Sequence, residues 1–195
     1  MSTKQTSQEE VHTPTLAIRN PSTPLRTPQA NIRTAKEYMS IAYSPTKNTG
    51  ADSVAHICHP DSWFYSPSTF PGCKTPMDYA ASHSVVMKSV SDLKIERFDQ
   101  AWAKDSHVLL RYTASGSHCG EPYKGIEKSE PPRKATWWAA AIFEVEDGKV
   151  RSFTKDWDQK VMQIQLGWAP VKESGDARWN EDMLRNPERA RESGE

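Results

Sequence analysis

Hydrophobic positions recur at helical spacing in the first half of this chain and at alternating spacing in the second. From Asn31 to Tyr43, apolar side chains fall at Ile32, Ala35, Tyr38, Met39, Ala42 and Tyr43, which predicts an amphipathic helix. Ser44-Pro45 ends it. Ala51 to Cys58 reads as a short helix closed by His59-Pro60, and Ser62 to Ser66 as a short aromatic strand. Pro76 to Val90 suits a helix with proline in its first turn. Four strand runs follow: Leu93 to Lys104, His107 to His118, Thr136 to Val145 and Lys149 to Asp158. Asp147-Gly148 joins the last two as a hairpin. Gln159 to Leu166 is a closing helix, with Gly167 as its stop. Helices followed by an antiparallel meander predict an α+β domain rather than βαβ units.

Composition sharpens the boundaries. Residues 1–30 are rich in Ser, Thr, Gln and Pro and are expected as a disordered or draped tail. Residues 31–168 form the expected domain, and residues 169–195 a charged C-terminal tail. The polar ends explain a mean hydropathy of -0.76. Lys+Arg and Asp+Glu are both 25, so charge balance points to neither nucleic acid nor an anionic membrane as partner. No run of about 18 apolar residues predicts a membrane span. Three irregularly spaced cysteines, Cys58, Cys73 and Cys119, and an N-terminus without an apolar run fit a cytoplasmic protein. They form no Cys-x-x-Cys pair with which to hold zinc, and no metal site is expected.

The candidate chemistry sits at the end of the fourth strand. Strict alternation puts Val150, Ser152, Thr154, Asp156 and Asp158 on one face, and Arg151, Phe153, Lys155 and Trp157 on the other. If the first set lines a concave sheet, two carboxylates point inward, where desolvation favours their protonated forms and can tune an acid and a base apart. Asp158 is equally well placed to cap the following helix, and Asp156 to pair with Lys155 or Lys160. His83 lies one turn from both Tyr79 and Met87, and can either reach an interior cavity as a further acid or base or pack as a bonded core histidine. Tyr65, Tyr112 and Trp137 belong to an aromatic-rich set suited either to core filling or to walls for a flat ligand. Trp137 and Trp138 must face opposite ways on one strand.

The stretch EDGKVRSFTKDWDQKVMQIQLG resembles the C-terminal signature of the SnoaL-like polyketide cyclase family: a Gly-Lys-Val strand, a Trp-Asp end, and Gln-Leu-Gly seven residues later. Arg111 and Gly116-Ser117-His118-Cys119-Gly120 resemble that family's Arg and Gly-Thr-His-x-Gly. The resemblance spans roughly Asn31 to Gly167. It implies a cone-shaped barrel, a curved, mostly antiparallel sheet wrapped around N-terminal helices, whose sheets pair back to back as a homodimer. It also implies a cofactor-independent acid/base enzyme of secondary metabolism, closing rings of a small hydrophobic polyketide or terpenoid-like substrate by aldol chemistry. Asp158 matches the family's proton-handling aspartate and His118 its substrate-polarising histidine; Arg111 lies on the matched strand. Asp156 shares the face of Asp158 but is not carried by the motif. The insert Glu121 to Lys134 is longer and more charged than the family's loop, and Tyr65 and Ser66 stand where the family has a histidine. The fold also hosts isomerases, dehydratases using a His-Asp pair, and non-catalytic domains that bind a small hydrophobic ligand or a protein.

Overall fold

A computed structural model describes residues 27–170. The C-terminal tail from 171 and the N-terminal tail up to 26 lie outside the described residues. Helix α1, Pro28–Ala42, starts three residues before the expected domain boundary, because Thr27 is a good N-cap and Pro28 fits the first helical turn. Its buried stripe, Asn31, Thr34, Ala35, Tyr38, Met39 and Ala42, has the predicted spacing. The Tyr38 hydroxyl donates to the Pro76 carbonyl at 2.7 Å, tying α1 to the start of helix α3, Pro76–Ser89. Thr75 and Asp78 close a capping box there. Between these helices, Asn48 donates to the carbonyls of Ala42 and Ala80 at 3.0 and 2.9 Å.

The second helix and first strand differ from the expected spans. Helix α2 is one turn, Asp52–Ala55, and strand β1 runs Cys58–Tyr65. His59-Pro60 thus lies within a strand rather than closing a helix. The reason is topological: β1 is an edge strand, where a proline without an N–H is tolerated. Strands β2 (Lys94–Lys104), β3 (His107–Ser117), β4 (Lys134–Glu146) and β5 (Lys149–Trp157) form the expected meander. Asp147 and Gly148 have φ of 50° and 79°, the left-handed pair that a tight I′ hairpin requires. The sheet order is β1-β5-β4-β3-β2, with β1 parallel to β5 and every other pairing antiparallel. The sheet is therefore mixed and open at β1 and β2, not a closed barrel. Helix α4, Gln159–Leu166, ends at Gly167 with φ 77°.

One irregularity decides which side chains of β5 face inward. Val145 pairs with Val150, but Glu144 pairs with Ser152, leaving Arg151 as an extra residue on β5. Such a bulge reverses the alternation beyond it. Val150 before it and Phe153 and Lys155 after it are all buried. Phe153 stacks on Phe143 at 4.7 Å, and Tyr38 meets both rings edge-on. On β4, Ala139 and Ala141 stand opposite Tyr112, Trp157, Leu110 and Lys155, and their small side chains leave room for an interior polar cluster.

Candidate active site

A cavity of about 490 Å³ opens between α3, the 68–71 loop, α4 and the ends of β4 and β5. Phe70, His83, Trp137 and Trp157 form its inner wall, and Tyr123 and Trp168 its rim. His83 is the histidine that lines it. Its Nδ1 lies 3.1 Å from the Ala42 carbonyl, which can only accept, so Nδ1 carries the hydrogen and Nε2 the lone pair. Nε2 has no hydrogen-bond partner among the described residues. The ring sits between Tyr43, at 4.3 Å, and Tyr79, stacked at 5.0 Å. Burial, then the nearby Lys155 amine, pull the imidazole down to about 3, against the Ala42 bond; the ring is uncharged at neutral pH.

Behind this wall lies the cluster that the alternation concealed. Lys155 is buried, and its Nζ donates to the hydroxyls of Tyr43 at 2.8 Å and Tyr79 at 3.0 Å. The Tyr43 hydroxyl in turn meets that of Tyr112 at 3.1 Å. Four rings surround the amine: Trp157 at 4.3 Å, Phe70 at 5.1 Å, and Tyr43 and Tyr79 at 5.3 Å. Such faces favour a cation, but burial without an ion-pair partner among the described residues outweighs them and holds the amine well below the usual lysine range. Burial likewise raises the Tyr43 hydroxyl to about 12, offset in part by its bond to Tyr112, and puts Tyr79 and Tyr112 well above the ordinary tyrosine range.

The residues singled out in the sequence separate into three groups. His83, Tyr79, Tyr112 and Trp137 converge on the cavity wall and the cluster behind it, with Met87 buried on the same helix as His83. Asp158, Asp156, Arg111 and Tyr65 are exposed. The Asp158 carboxylate caps α4, accepting from Val161 N at 3.0 Å. Asp156 lies in the sheet's outer row with Arg111, across Ala140, and Tyr65 pairs with Thr154 on the same face. The expectation that β5 delivers two carboxylates inward is corrected by the bulge at Arg151: Lys155 and Trp157 go in, and the acids go out. The third group is His118, which is buried but braces the rim. It accepts from Trp168 Nε1 at 3.1 Å, which fixes the ring hydrogen on Nε2, and that nitrogen donates to the Glu121 carbonyl at 3.2 Å. Trp168 stacks on Tyr123 of the long insert at 3.7 Å. Lys155 and Tyr43 were missed. Their signal was present: Lys155 has Phe153 and Trp157 two residues away on either side, an apolar set that marks the buried face.

Among the described residues, no three His, Cys, Asp or Glu side chains converge to hold a metal ion, and no helix is long and apolar enough to cross a membrane.

Neither a protein-family profile nor a curated protein matches the chain. Solved structures do. TsrD from Streptomyces laurentii is 22% identical over 74% of this chain and 100% of its own, with a TM-score of 0.58. AclR from Streptomyces galilaeus, provisionally assigned as a hydroxylase, is 16% identical over 81% of this chain and 98% of its own, with a TM-score of 0.60. A protein from a Jannaschia species, provisionally assigned as a SnoaL-like polyketide cyclase, is 15% identical over 78% of this chain and 100% of its own, with a TM-score of 0.58. The chain thus has the α+β fold of SnoaL-like proteins, which is the resemblance its sequence carries.

Proposed function

We propose that this chain is a cofactor-independent acid/base enzyme of secondary metabolism, with His83 as the base and a small, flat, hydrophobic carbonyl compound as substrate. One observation carries the reading: a neutral imidazole whose Nδ1 is held by a backbone carbonyl, leaving the Nε2 lone pair unpartnered in the wall of an aromatic cavity. A group that can take a proton, placed in an aromatic wall where flat rings fit, is suited to proton abstraction beside a carbonyl. An imidazole this weakly basic needs an acidified C–H, and a methylene between two carbonyls supplies one. A poly-β-ketone chain is built of such methylenes, which favours a polyketide or meroterpenoid. His83 Nε2 takes the methylene proton, the enolate attacks a second carbonyl of the same molecule, and the resulting alkoxide takes a proton back, closing a ring without net oxidation or reduction. Isomerisation follows if the proton returns to a different carbon. SnoaL-like fold and a provisionally assigned cyclase among the similar structures support this reading.

The test is proton exchange. An aryl 1,3-diketone in D₂O, followed by NMR with wild type and His83→Asn, reads abstraction directly. Asn retains a donor for the Ala42 carbonyl and removes Nε2. The expected loss of exchange is about 10²- to 10⁴-fold. Equal exchange by both proteins would overturn the role of His83 and leave the cavity as a site for binding a hydrophobic ligand without chemistry.

A further inference from the structure

The Lys155 amine is isolated in a way that packing alone does not explain. The Lys94–Glu96 and Arg97–Asp99 pairs lie on the edge strand β2 with their side chains partly exposed, whereas Lys155 is 2% exposed and pairs with no carboxylate among the described residues. A methionine or leucine would fill the space without the penalty of burying an amine. What the amine does have is a link between three elements. From β5 it bonds Tyr43, at the end of α1, and Tyr79, on α3. Those two tyrosines flank His83, at 4.3 and 5.0 Å between ring centres. Tyr79 stacks on the imidazole with an interplanar angle of 26°, one helical turn before it.

We propose that Lys155 is a positioning residue for His83: its amine ties together the hydroxyls of the two tyrosines that clamp the imidazole, and so holds the ring in the tautomer that leaves Nε2 free for the cavity. This rests on His83 being the functional base. The ring's own bond to Ala42 sets Nδ1 as the donor only while Nδ1 stays turned toward that carbonyl, and the clamp restrains that turn. The groups that face His83 are the Tyr43 hydroxyl from the end of α1, Tyr79 from α3, Tyr112 from β3 through Tyr43, and Lys155 from β5. The amine therefore acts by fixing the clamp.

Nitrogen NMR of the ¹⁵N-histidine-labelled full chain tests this without any substrate. His83→Asn assigns the signal. In wild type, His83 should show a protonated Nδ1 and a bare Nε2 at neutral pH and should not titrate above pH 4. Lys155→Met should mix the two tautomers at neutral pH. If Lys155→Met does not fold, Tyr79→Phe keeps the stacked ring, removes one anchor of the amine, and should mix the tautomers in the same way. A variant with a wild-type amide spectrum but an unchanged His83 tautomer would overturn the proposal. Diketone exchange is a separate readout: its absence in wild type would count against the base role while leaving the NMR result to judge the clamp.

Discussion

The Asp158 carboxylate accepts the Val161 amide hydrogen at 3.0 Å, and so satisfies one of the N–H groups that the first turn of α4 leaves unpaired. This geometry separates cap from charge in one experiment. Asparagine caps as well as aspartate, and alanine does not. Asp158→Asn should keep both stability and diketone exchange near wild type, while Asp158→Ala should lose about 1 kcal/mol in urea unfolding. A drop in exchange of several orders of magnitude in Asp158→Asn would return the proton-handling role to this carboxylate.

His83 makes an acid-sensitivity prediction with a definite sign. Its folded value of about 3 lies below the unfolded histidine value of about 6.5. Between those limits the unfolded chain binds one more proton than the folded one, so stability falls as pH drops through that window and is fully present above it. The contribution is on the order of 5 kcal/mol at its largest. Urea titrations at pH 7 and pH 4 should show a smaller loss for His83→Asn than for wild type. Parallel losses would mean that water reaches the imidazole and relieves its burial.

Most elements could be read from the chain because each carried a local signal. Pro76 with Thr75 and Asp78 set the start of α3, Asp147-Gly148 set the β4–β5 hairpin, and Gly167 set the end of α4. The inward face of β5 was marked only in part: Phe153 and Trp157 share a face with Lys155, but Val150 falls on the other, because an alternating pattern has no mark for a one-residue bulge and Arg151 looks like any polar strand residue. Alternation therefore sets Asp156 and Asp158 on one face, either lining a cavity or, in the competing reading, capping α4 and pairing with Lys155 or Lys160 at the surface. The edge position of β1 was equally hidden: His59-Pro60 reads as a helix stop unless the parallel pairing with β5 is known. His83, Tyr79, Tyr112 and Trp137 were legible because helical spacing and aromatic content survive without knowledge of the sheet.

The outer face of the sheet predicts self-association. The cross-strand register sets Trp102, Leu109, Ile142, Thr154 and Tyr65 in one row across all five strands. Trp102 and Tyr65 are 63% exposed and Ile142 46%, with Trp63 nearby on β1. A row of large exposed apolar groups across a sheet face fits a protein contact. Back-to-back pairing of two sheets would cover it, and sedimentation should report a dimer. Ile142→Glu puts a charge at the centre of the row and should yield a monomer with wild-type circular dichroism. A monomeric wild type at micromolar concentration would exclude this use of the face.

Lys155 also predicts how stability changes on the alkaline side. Burial holds its amine well below the ordinary lysine value of about 10.4, so between the folded and unfolded values the unfolded chain binds the extra proton. Stability should therefore rise with pH across that window, the reverse of the slope expected for a lysine in an ion pair. Other buried groups act oppositely at higher pH. Cys58 and Tyr43, both raised to about 12 by burial, and Tyr79 and Tyr112 keep their protons when folded and lose them earlier when unfolded, which lowers stability above roughly pH 9. Those groups are common to wild type and Lys155→Met, so the difference between the two isolates the amine. In Lys155→Met, the Tyr43 and Tyr112 hydroxyls still have each other, and the thioether fills the aromatic cage. The variant should be at least as stable as wild type at pH 7, and its advantage should shrink as pH approaches 10. A constant difference across pH 6 to 10 would show that the amine's protonation does not change with folding, and that a cation sits among those four rings.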